Sequence, residues 1–273
     1  MRPSDLDVSG FRVRGPNSYE PNAFAANVRL ELKSHAGVVA VGTDPRFVVS
    51  AVNAALSAGT SIALVRSEED INRLLPALHE AGVTGILRED GTVEAIAEET
   101  LAEVHEPRVI LTTSGTTGTP KLTPHAWDWI TKSIRKVEMP AKWLLTYHPA
   151  SFAGFQVLLT ASVSGQELVA HPDANVYQLA RTATQEKPTS ISGTPTFWRN
   201  FIAALGTNAS QVPVRFATLG GEVADEATLS LVRSAFPDVE IRHIYATTEL
   251  GVVLTVRDGQ AGFPVQWLDT GIG

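Results

Sequence analysis

Short apolar runs rich in β-branched residues alternate with helix-like segments along most of the chain, and no other feature constrains the fold as strongly. In the first part, residues 37–42 (GVVAVG) and 61–65 (SIALV) flank a helix-like segment that ends at Gly59. A second helix-like segment, residues 67–82, starts at the capping residue Ser67 and leads into the short run TGIL. This alternation predicts βαβ units and a mostly parallel sheet.

A second series of strand-like runs follows, with a helix-like segment predicted between each pair. The runs are RVILTT (108–113), KWLLTY (142–147), QELVA (166–170), TSIS (189–192), VRFATL (214–219) and VEIRHIY (239–245). We therefore predict a first α/β subdomain over residues 1–105, including a polar N-terminal arm, and a second over residues 106–273. Parallel sheets bind ligands beyond the carboxyl ends of their strands, so the functional loops should follow these runs.

Composition narrows the classes of protein that the chain can belong to. With 273 residues, of which 44% are hydrophobic, it can form one large or two modest α/β units. A net charge of −7 provides no broad positive field for a nucleic-acid partner, and the absence of cysteine excludes disulfides and thiolate metal sites. No apolar run reaches the roughly 18 residues of a membrane helix, and the N-terminus has no secretory apolar core. We expect a soluble cytoplasmic protein without a membrane partner.

The stretch TTSGTTGTPK (112–121) is the strongest candidate for a ligand-binding loop. Gly115 and Gly118 allow backbone conformations in which successive N–H groups turn inward around an anion. Hydroxyl donors, a rigid exit and a cation come from Ser114, Thr116, Thr117, Thr119, Pro120 and Lys121. A polyphosphate fits this chemistry, and a polar surface loop is the alternative. It is not a P-loop NTPase signature, which has four residues between its glycines and a Gly-Lys pair.

Three motifs in order resemble the adenylate-forming superfamily, which includes acyl-CoA synthetases, luciferases and adenylation domains of peptide synthetases. TSGTTGTPK (113–121) resembles its phosphate loop, LGGE (219–222) its adenine-side Gly-Gly loop, and YATTE (245–249) its Tyr-Gly-x-Thr-Glu motif. Residues 148–165 are most similar to a helix of small acyl- and aryl-CoA ligases such as o-succinylbenzoate-CoA ligase. The resemblance covers residues 37–257 and implies two stacked, mostly parallel α/β subdomains, the second with the nucleotide site.

The resemblance implies an AMP-forming ligase core that uses ATP and Mg²⁺ to convert a carboxylic acid into an acyl-adenylate. CoA or the phosphopantetheine of an acyl-carrier protein would then accept the acyl group. Catalytic roles would belong to Thr117, Lys121, Thr248 and Glu249, with Glu249 also holding the metal. Contacts to ATP or AMP would come from Thr113, Ser114, Gly115, Thr116, Gly118, Gly220, Gly221, Glu222, Tyr245, Ala246 and Thr247. As alternatives, Tyr245 is an ordinary core residue and Glu249 a solvated surface charge.

The resemblance also implies an acid pocket built from two segments of the chain. Its residues would be Ser151, Phe152, Gly154, Phe155, Gly193 and Thr194. Because apolar and small residues dominate, an apolar or aromatic acid fits better than an amino acid, whose ammonium group needs a buried acidic partner. The alternative is that these residues only pack helices against the sheet.

The chain departs from the family pattern at several positions. Ala246 replaces the glycine after the tyrosine, and Leu122 follows the lysine, where it can begin the next strand. Ala150 and Ser151 occupy the positions where many members place a histidine near the acid. His148 lies too early for that role, so it is either a catalytic group or a strand-end histidine.

The sequence stops at WLDTGIG (267–273), before any segment resembling the family's ribose-binding aspartate, hinge or C-terminal domain. Asp269 is a weak alternative for the ribose contact. A fragment, a natural minimal enzyme that borrows a separate C-terminal domain, and an inactive protein all remain open. If residues 1–273 act alone, we expect nucleotide binding with slow adenylation and no transfer to CoA. The alternative function is a non-catalytic module that binds nucleotide or acyl groups.

Overall fold

The computed structural model describes residues 1–15, 19–96, 106–113 and 121–268. They belong to two compact units, one of residues 1–138 and 148–165, the other of residues 139–147 and 166–273. Each unit combines a mostly parallel sheet with helices, which confirms the α/β prediction. No helix in the described part of the chain has the length and apolar character needed to traverse a lipid bilayer.

The first unit is built around a sheet with the strand order β5-β4-β2-β3-β6-β7. Its strands and helices are β1 (Phe11–Val13), α1 (Pro21–Glu31), β2 (Gly37–Val41), α2 (Pro45–Ala58), β3 (Ser61–Val65), α3 (Glu68–Glu80), β4 (Val83–Leu87), β5 (Val93–Ala95), β6 (Arg108–Thr113), β7 (Lys121–Ala126), α4 (Trp127–Thr131) and α5 (Phe152–Val163). The inner strands are parallel, whereas β5 and β7 run antiparallel at the two edges.

Local capping explains where the helices of this unit begin and end. The Asp44 carboxylate accepts a hydrogen bond from the backbone N–H of Arg46 at the start of α2, and Gly59 ends that helix with φ at 81°. Ser67 caps α3 by accepting from the N–H of Asp70 at 3.2 Å. Such caps satisfy N–H groups that have no partner inside the helix, so the helix limits read from the sequence are confirmed.

The strand predicted at residues 108–113 belongs to the first sheet and does not open the second. β6 pairs in parallel with β3 and antiparallel with β7, and the helix predicted between this run and the run at residues 142–147 is the short α4, which follows β7. The described structure therefore groups residues 106–138 with the first unit, in contrast to the predicted division at residue 105. The difference arises because the apolar pattern of a strand records its burial and not which strand it pairs with.

The second unit contains the remaining strand predictions, in the order β9-β8-β10-β11-β12-β13. Its elements are β8 (Lys142–Leu144), β9 (Glu167–Ala170), α6 (Val176–Glu186), β10 (Ser190–Gly193), α7 (Pro195–Leu205), β11 (Phe216–Gly220), α8 (Glu226–Ala235), β12 (Glu240–Thr247) and β13 (Gly251–Val256). Neighbouring strands are parallel up to β12, and β13 returns antiparallel. Strands β8 to β12 thus confirm the predicted second series.

The core of this unit fixes α7 against the sheet. Trp198 and Phe201 are fully buried and pack with apolar side chains of β10, β11 and β12. The Trp198 indole N–H also donates to the Thr218 carbonyl at 3.1 Å. Truncating a buried aromatic side chain typically costs about 3–5 kcal/mol. The start of α7 is therefore held firmly beside the carboxyl ends of β10 and β11.

Candidate active site

The adjacent strands β10, β11 and β12 end on the same side of the second unit's sheet, so their carboxyl ends lie side by side. This row of strand ends is hereafter called the edge of the sheet. Gly193 at the end of β10 pairs with Leu219, and Gly220 at the end of β11 pairs with Ile244. Because the three strands are parallel, the loops that follow them leave from the same edge. Three segments that the sequence predicts as functional are thereby brought together, namely those beginning at Gly193, at Gly220 and at Tyr245.

The loop after β10 starts α7. Thr194 is the N-cap residue, and its hydroxyl accepts from the N–H of Phe197 at 3.0 Å. A side chain at Gly193 would place its Cβ 2.3 Å from a ring carbon of Phe197, so the ring would have to move to admit it. Both predicted acid-pocket residues of this segment thus have a clear structural role, and their contact with the acid stays a prediction.

The loop after β11 folds back onto the same helix. Gly221 has φ at 82°, a left-handed conformation that favours glycine. The following residue, Glu222, is exposed, and its Oε2 accepts from the backbone N–H of Thr196 at 2.9 Å. Hydrogen bonding from Thr196 lowers the pKa of Glu222 below its ordinary value. The Thr196 hydroxyl contributes more than its backbone N–H.

The Tyr-Ala-Thr-Thr-Glu segment forms the end of β12 and the turn into β13. A bulge between Tyr245 and Ala246 shifts the register of this hairpin, and Tyr245 lies edge-on to Phe263 with ring centroids 5.6 Å apart. Ala246 stands within the strand, where it pairs with Val252. Glu249 is exposed in the turn. The hairpin thus presents a carboxylate to solvent directly after a bulge, a feature often found beside active sites.

The proposed phosphate loop belongs to the first unit. Its residues 114–120 lie outside the described residues, so the predictions for Ser114, Gly115, Thr116, Thr117 and Gly118 remain predictions. The flanking residues Thr113 and Lys121 are register partners at the ends of β6 and β7, and Lys121 is exposed. Leu122 packs against the core of this unit, which confirms that it belongs to the next strand.

The start of α5 is organised around His148. The carbonyl oxygen of His148 accepts from the Ser151 hydroxyl at 2.7 Å, and Ser151 in turn accepts from the N–H of Gly154 at 3.1 Å. A Cβ at Gly154 would lie 2.1 Å from that same carbonyl oxygen. Phe155 is fully buried, whereas Phe152 is partly exposed. Packing and capping account for three of the four predicted pocket residues here, and their contact with the acid stays a prediction.

A sequence model of the family described as AMP-binding enzyme matches residues 34–271, nearly the whole chain. The chain belongs to the AMP-binding enzyme family. No curated protein sequence matches it.

Solved structures share the fold of this AMP-binding chain at low sequence identity. The unliganded o-succinylbenzoate coenzyme A synthetase MenE from Bacillus subtilis has a TM-score of 0.66 at 16% identity, and the match covers 95% of this chain and 68% of that chain. The luciferase-like enzyme from the nonluminescent Zophobas morio mealworm has a TM-score of 0.63 at 14% identity, with 92% and 69% covered. VinN in complex with L-aspartate has a TM-score of 0.65 at 16% identity, with 82% and 66% covered. The chain thus spans about two thirds of the length of these structures.

Two residues that the sequence motifs do not single out also lie at the edge of the second unit's sheet. The Tyr147 side chain, just after β8, lies near the side chain of Ser192 at the end of β10. Burial raises the pKa of Tyr147 to about 12. The Thr146 hydroxyl donates to the Ser192 carbonyl. In the sequence of this AMP-binding chain, the one signal that could have identified Thr146 and Tyr147 is their position as the last residues of a strand-like run.

The described residues contain no group of three or more His, Asp or Glu side chains that could hold a metal ion. The metal role predicted for the exposed Glu249 therefore stays a prediction. Carboxylate and phosphate oxygens are the ligands that Mg²⁺ prefers. Asp269, the weak candidate for a ribose contact, lies outside the described residues.

Proposed function

We propose that this chain activates a carboxylic acid with ATP to give an acyl-adenylate and pyrophosphate. The observation that carries the proposal is the shared edge where Gly193, Gly220 and Tyr245 lie on adjacent parallel strands. That edge combines a predicted acid-side segment with two predicted nucleotide-side segments. Membership of the AMP-binding enzyme family supports the same reaction class.

In the proposed reaction, a carboxylate oxygen of the acid attacks the α-phosphorus of ATP. The new O–P bond forms as the bond to the β-phosphate bridging oxygen breaks, and pyrophosphate leaves with the bonding electron pair. Catalysis of phosphoryl-type transfer depends mainly on positioning and on charge stabilisation. Backbone N–H groups of residues 114–120 and the cation of Lys121 would hold the departing phosphates, while Thr248 would contact the α-phosphate and Tyr245 would lie along the adenine.

Mg²⁺ fits the exposed carboxylate of Glu249, because a hard cation prefers oxygen ligands. The ion supplies neutralisation of phosphate charge when bound. Glu249 would hold the ion at the turn after β12, beside the loop that is predicted to lie on the adenine side.

We propose an apolar or aromatic acid as the substrate, since small and aromatic residues dominate the segments assigned to the pocket. The acceptor of the acyl group would be the thiol of CoA or of a phosphopantetheine carried by a partner protein. A separate C-terminal domain is a further possible partner, and the cytoplasm is the proposed compartment.

The proposal is tested by ATP–pyrophosphate exchange across a panel of acids that includes benzoate, o-succinylbenzoate, hexanoate and L-aspartate. Exchange that depends on an apolar acid supports it, and the Glu249→Gln variant should then lose the signal, which excludes a contaminating ligase. Exchange only with L-aspartate would contradict the substrate class. AMP binding without exchange for any acid would favour the non-catalytic module.

A further inference from the structure

One carboxylate ties the Gly-Gly loop after β11 to the first turn of α7. Glu222 Oε2 accepts from the N–H of Thr196 at 2.9 Å, across a separation of 26 residues in the chain. Thr196 is the second residue of α7, a position whose N–H has no acceptor within the helix. Glu222 therefore supplies from a different loop the acceptor that this helix amide lacks.

A second contact joins the same two loops. Gly221 adopts a left-handed conformation directly before Glu222, and the side chain of Thr194 interacts with the Glu222 carboxylate and helps to lower its pKa. Thr194 is the N-cap residue of the helix. The two loops are thus in contact at both the capping residue and the first exposed amide of α7.

The groups around Glu222 favour the ionised form of its carboxylate. Arg199, on the next turn of α7, donates to the hydroxyls of Thr196 at 2.9 Å and Thr228 at 2.8 Å. Hydrogen bonds from Thr196 and, to a smaller extent, the charge of Arg199 hold the pKa of Glu222 below its ordinary value. A helix N-terminus also favours a negative charge. Glu222 is therefore ionised at neutral pH.

We propose that Glu222 is a positioning residue that locks the Gly-Gly loop onto α7, so that the acid side and the nucleotide side of the site form one hydrogen-bonded unit. The acid side is represented by Gly193 and Thr194, and the nucleotide side by Gly220 and Gly221. The inference rests on the proposed function for the identity of the two sides. Its consequence is that acid and nucleotide binding are coupled through the N-terminus of α7.

A double-mutant cycle on AMP affinity, measured by calorimetry, tests whether Glu222 acts through Thr196. Glu222→Ala should weaken AMP binding about tenfold, the size of one charge-assisted hydrogen bond, and Glu222→Gln should retain most of the affinity because an amide oxygen still accepts. Thr196→Pro removes the same N–H at a position in the first helical turn, where proline is best tolerated, and Thr196→Val controls for the lost hydroxyl. The double variant should bind AMP no more weakly than Glu222→Ala alone. Additive effects would mean that Glu222 contacts the nucleotide directly and would overturn the proposal.

Amide hydrogen exchange without nucleotide provides a second readout that does not depend on the proposed function. In Glu222→Ala, the amide of Thr196 and the loop at residues 219–223 should exchange about tenfold faster. Asp225→Asn is the matched control, because Asp225 is an exposed capping acid nearby that accepts from Thr228 at the start of α8. Unchanged exchange at Thr196 in Glu222→Ala would overturn the lock. If the unaltered chain binds no AMP, the proposed function fails while hydrogen exchange still decides the role of Glu222.

Discussion

Three polar side chains predicted for the site hold backbone amides at the starts of helices. Ser151 caps α5, Thr194 caps α7, and Glu222 accepts from an amide of α7. Each contact satisfies an N–H group that a helix leaves without a partner. At this scale, Ser151, Thr194 and Glu222 have structural roles at helix starts, whereas the charge-based roles of Lys121 and Glu249 are predictions.

Lys121 should act on the phosphates of the nucleotide and not on its adenosine. Lys121→Ala is expected to weaken ATP binding by about 1.5–3 kcal/mol, the range for a lost charge-assisted contact, while adenosine binding changes little. Titration calorimetry with both ligands measures the difference. Lys33→Ala, which removes another exposed lysine of the same unit, is the control. Equal weakening of ATP and adenosine would contradict the assignment.

Gly154 should be essential for the packing of α5. A methyl group there would collide with the carbonyl oxygen of His148 at 2.1 Å, and backbone atoms cannot rotate away. Gly154→Ala is therefore expected to lower the free energy of unfolding by about 1–3 kcal/mol, as overpacking does. Urea denaturation measures the change. Ala153→Gly, on the same turn, should cost only about 0.5–1 kcal/mol, and a smaller loss for Gly154→Ala than for this control would contradict the packing argument.

His243 is expected to make the stability of the second unit depend on pH. This residue of β12 is only 2% exposed, and neither ring nitrogen has a hydrogen-bond partner among the described residues. The pKa of His243 is lowered mainly by burial and further by the positive charge of Arg233. The negative charges of Asp258 and Glu226 act in the opposite direction and raise it. Because the unfolded chain binds the proton more readily, stability is full above about pH 6.5 and falls as the pH drops towards the folded pKa.

Replacement of His243 by phenylalanine should remove this part of the pH dependence. Between pH 7 and pH 5, the unaltered chain should lose up to about 1.4 kcal/mol per pH unit through this one group, and His243→Phe should lose less. Denaturant unfolding at several pH values measures both slopes. His79→Gln, which removes an exposed histidine of the first unit, is the control. Identical slopes for His243→Phe and the unaltered chain would rule out a contribution from His243.

At the scale of secondary structure, the hairpin of β12 and β13 carries the predicted Tyr-Ala-Thr-Thr-Glu segment. Its bulge at Tyr245 and Ala246 changes the direction of the strand just before the turn. The Thr247 hydroxyl accepts from the N–H of Leu250 at 3.0 Å, which stabilises the turn. Glu249 is therefore presented to solvent from a defined backbone.

Glu249→Gln tests the metal role of this turn. The variant should bind ATP with an affinity that no longer depends on Mg²⁺, because a neutral amide is a poorer ligand for a hard cation. ATP titrations with and without Mg²⁺, together with circular dichroism to verify the fold, measure the effect. Asp238→Asn is the control and should keep the Mg²⁺ dependence. Asp238 is an exposed acidic residue that lies shortly before the first residue of β12. A Mg²⁺ titration unchanged by Glu249→Gln would remove Glu249 from the site.

At the scale of the whole molecule, the predicted ligand-binding residues are divided between two compact units. The second unit carries the segments that follow β10, β11 and β12, whereas Lys121 and the start of α5 belong to the first. The segments of the second unit are separated in sequence but share one sheet edge. A ligand at that edge should therefore protect several distant parts of the chain at once.

Hydrogen exchange with saturating AMP should show protection at residues 193–197, 219–223 and 245–250 together. Binding stabilises the segments that a ligand contacts or orders, and a concentration of 100 times Kd corresponds to about 2.7 kcal/mol. The cleft of about 170 Å³ between α6 and α7, lined by Ala180, Thr184 and Leu205 among others, provides the control region. Protection confined to that cleft would place the nucleotide elsewhere.

The sequence by itself determined the α/β class, most strand positions, the caps at Gly59 and Ser67, and the placement of LGGE at the end of a strand. These features follow from apolar period and capping chemistry, which act over a few neighbouring residues. Only the tertiary structure decided that β6 joins the first sheet, that Tyr147 meets Ser192 and that Glu222 meets Thr196. Each of these contacts joins residues far apart in the chain, and the strand pattern that predicts burial does not specify the neighbouring strand or loop. Which strand or loop a segment contacts depends on how whole helices and strands pack, and no single segment contains that information.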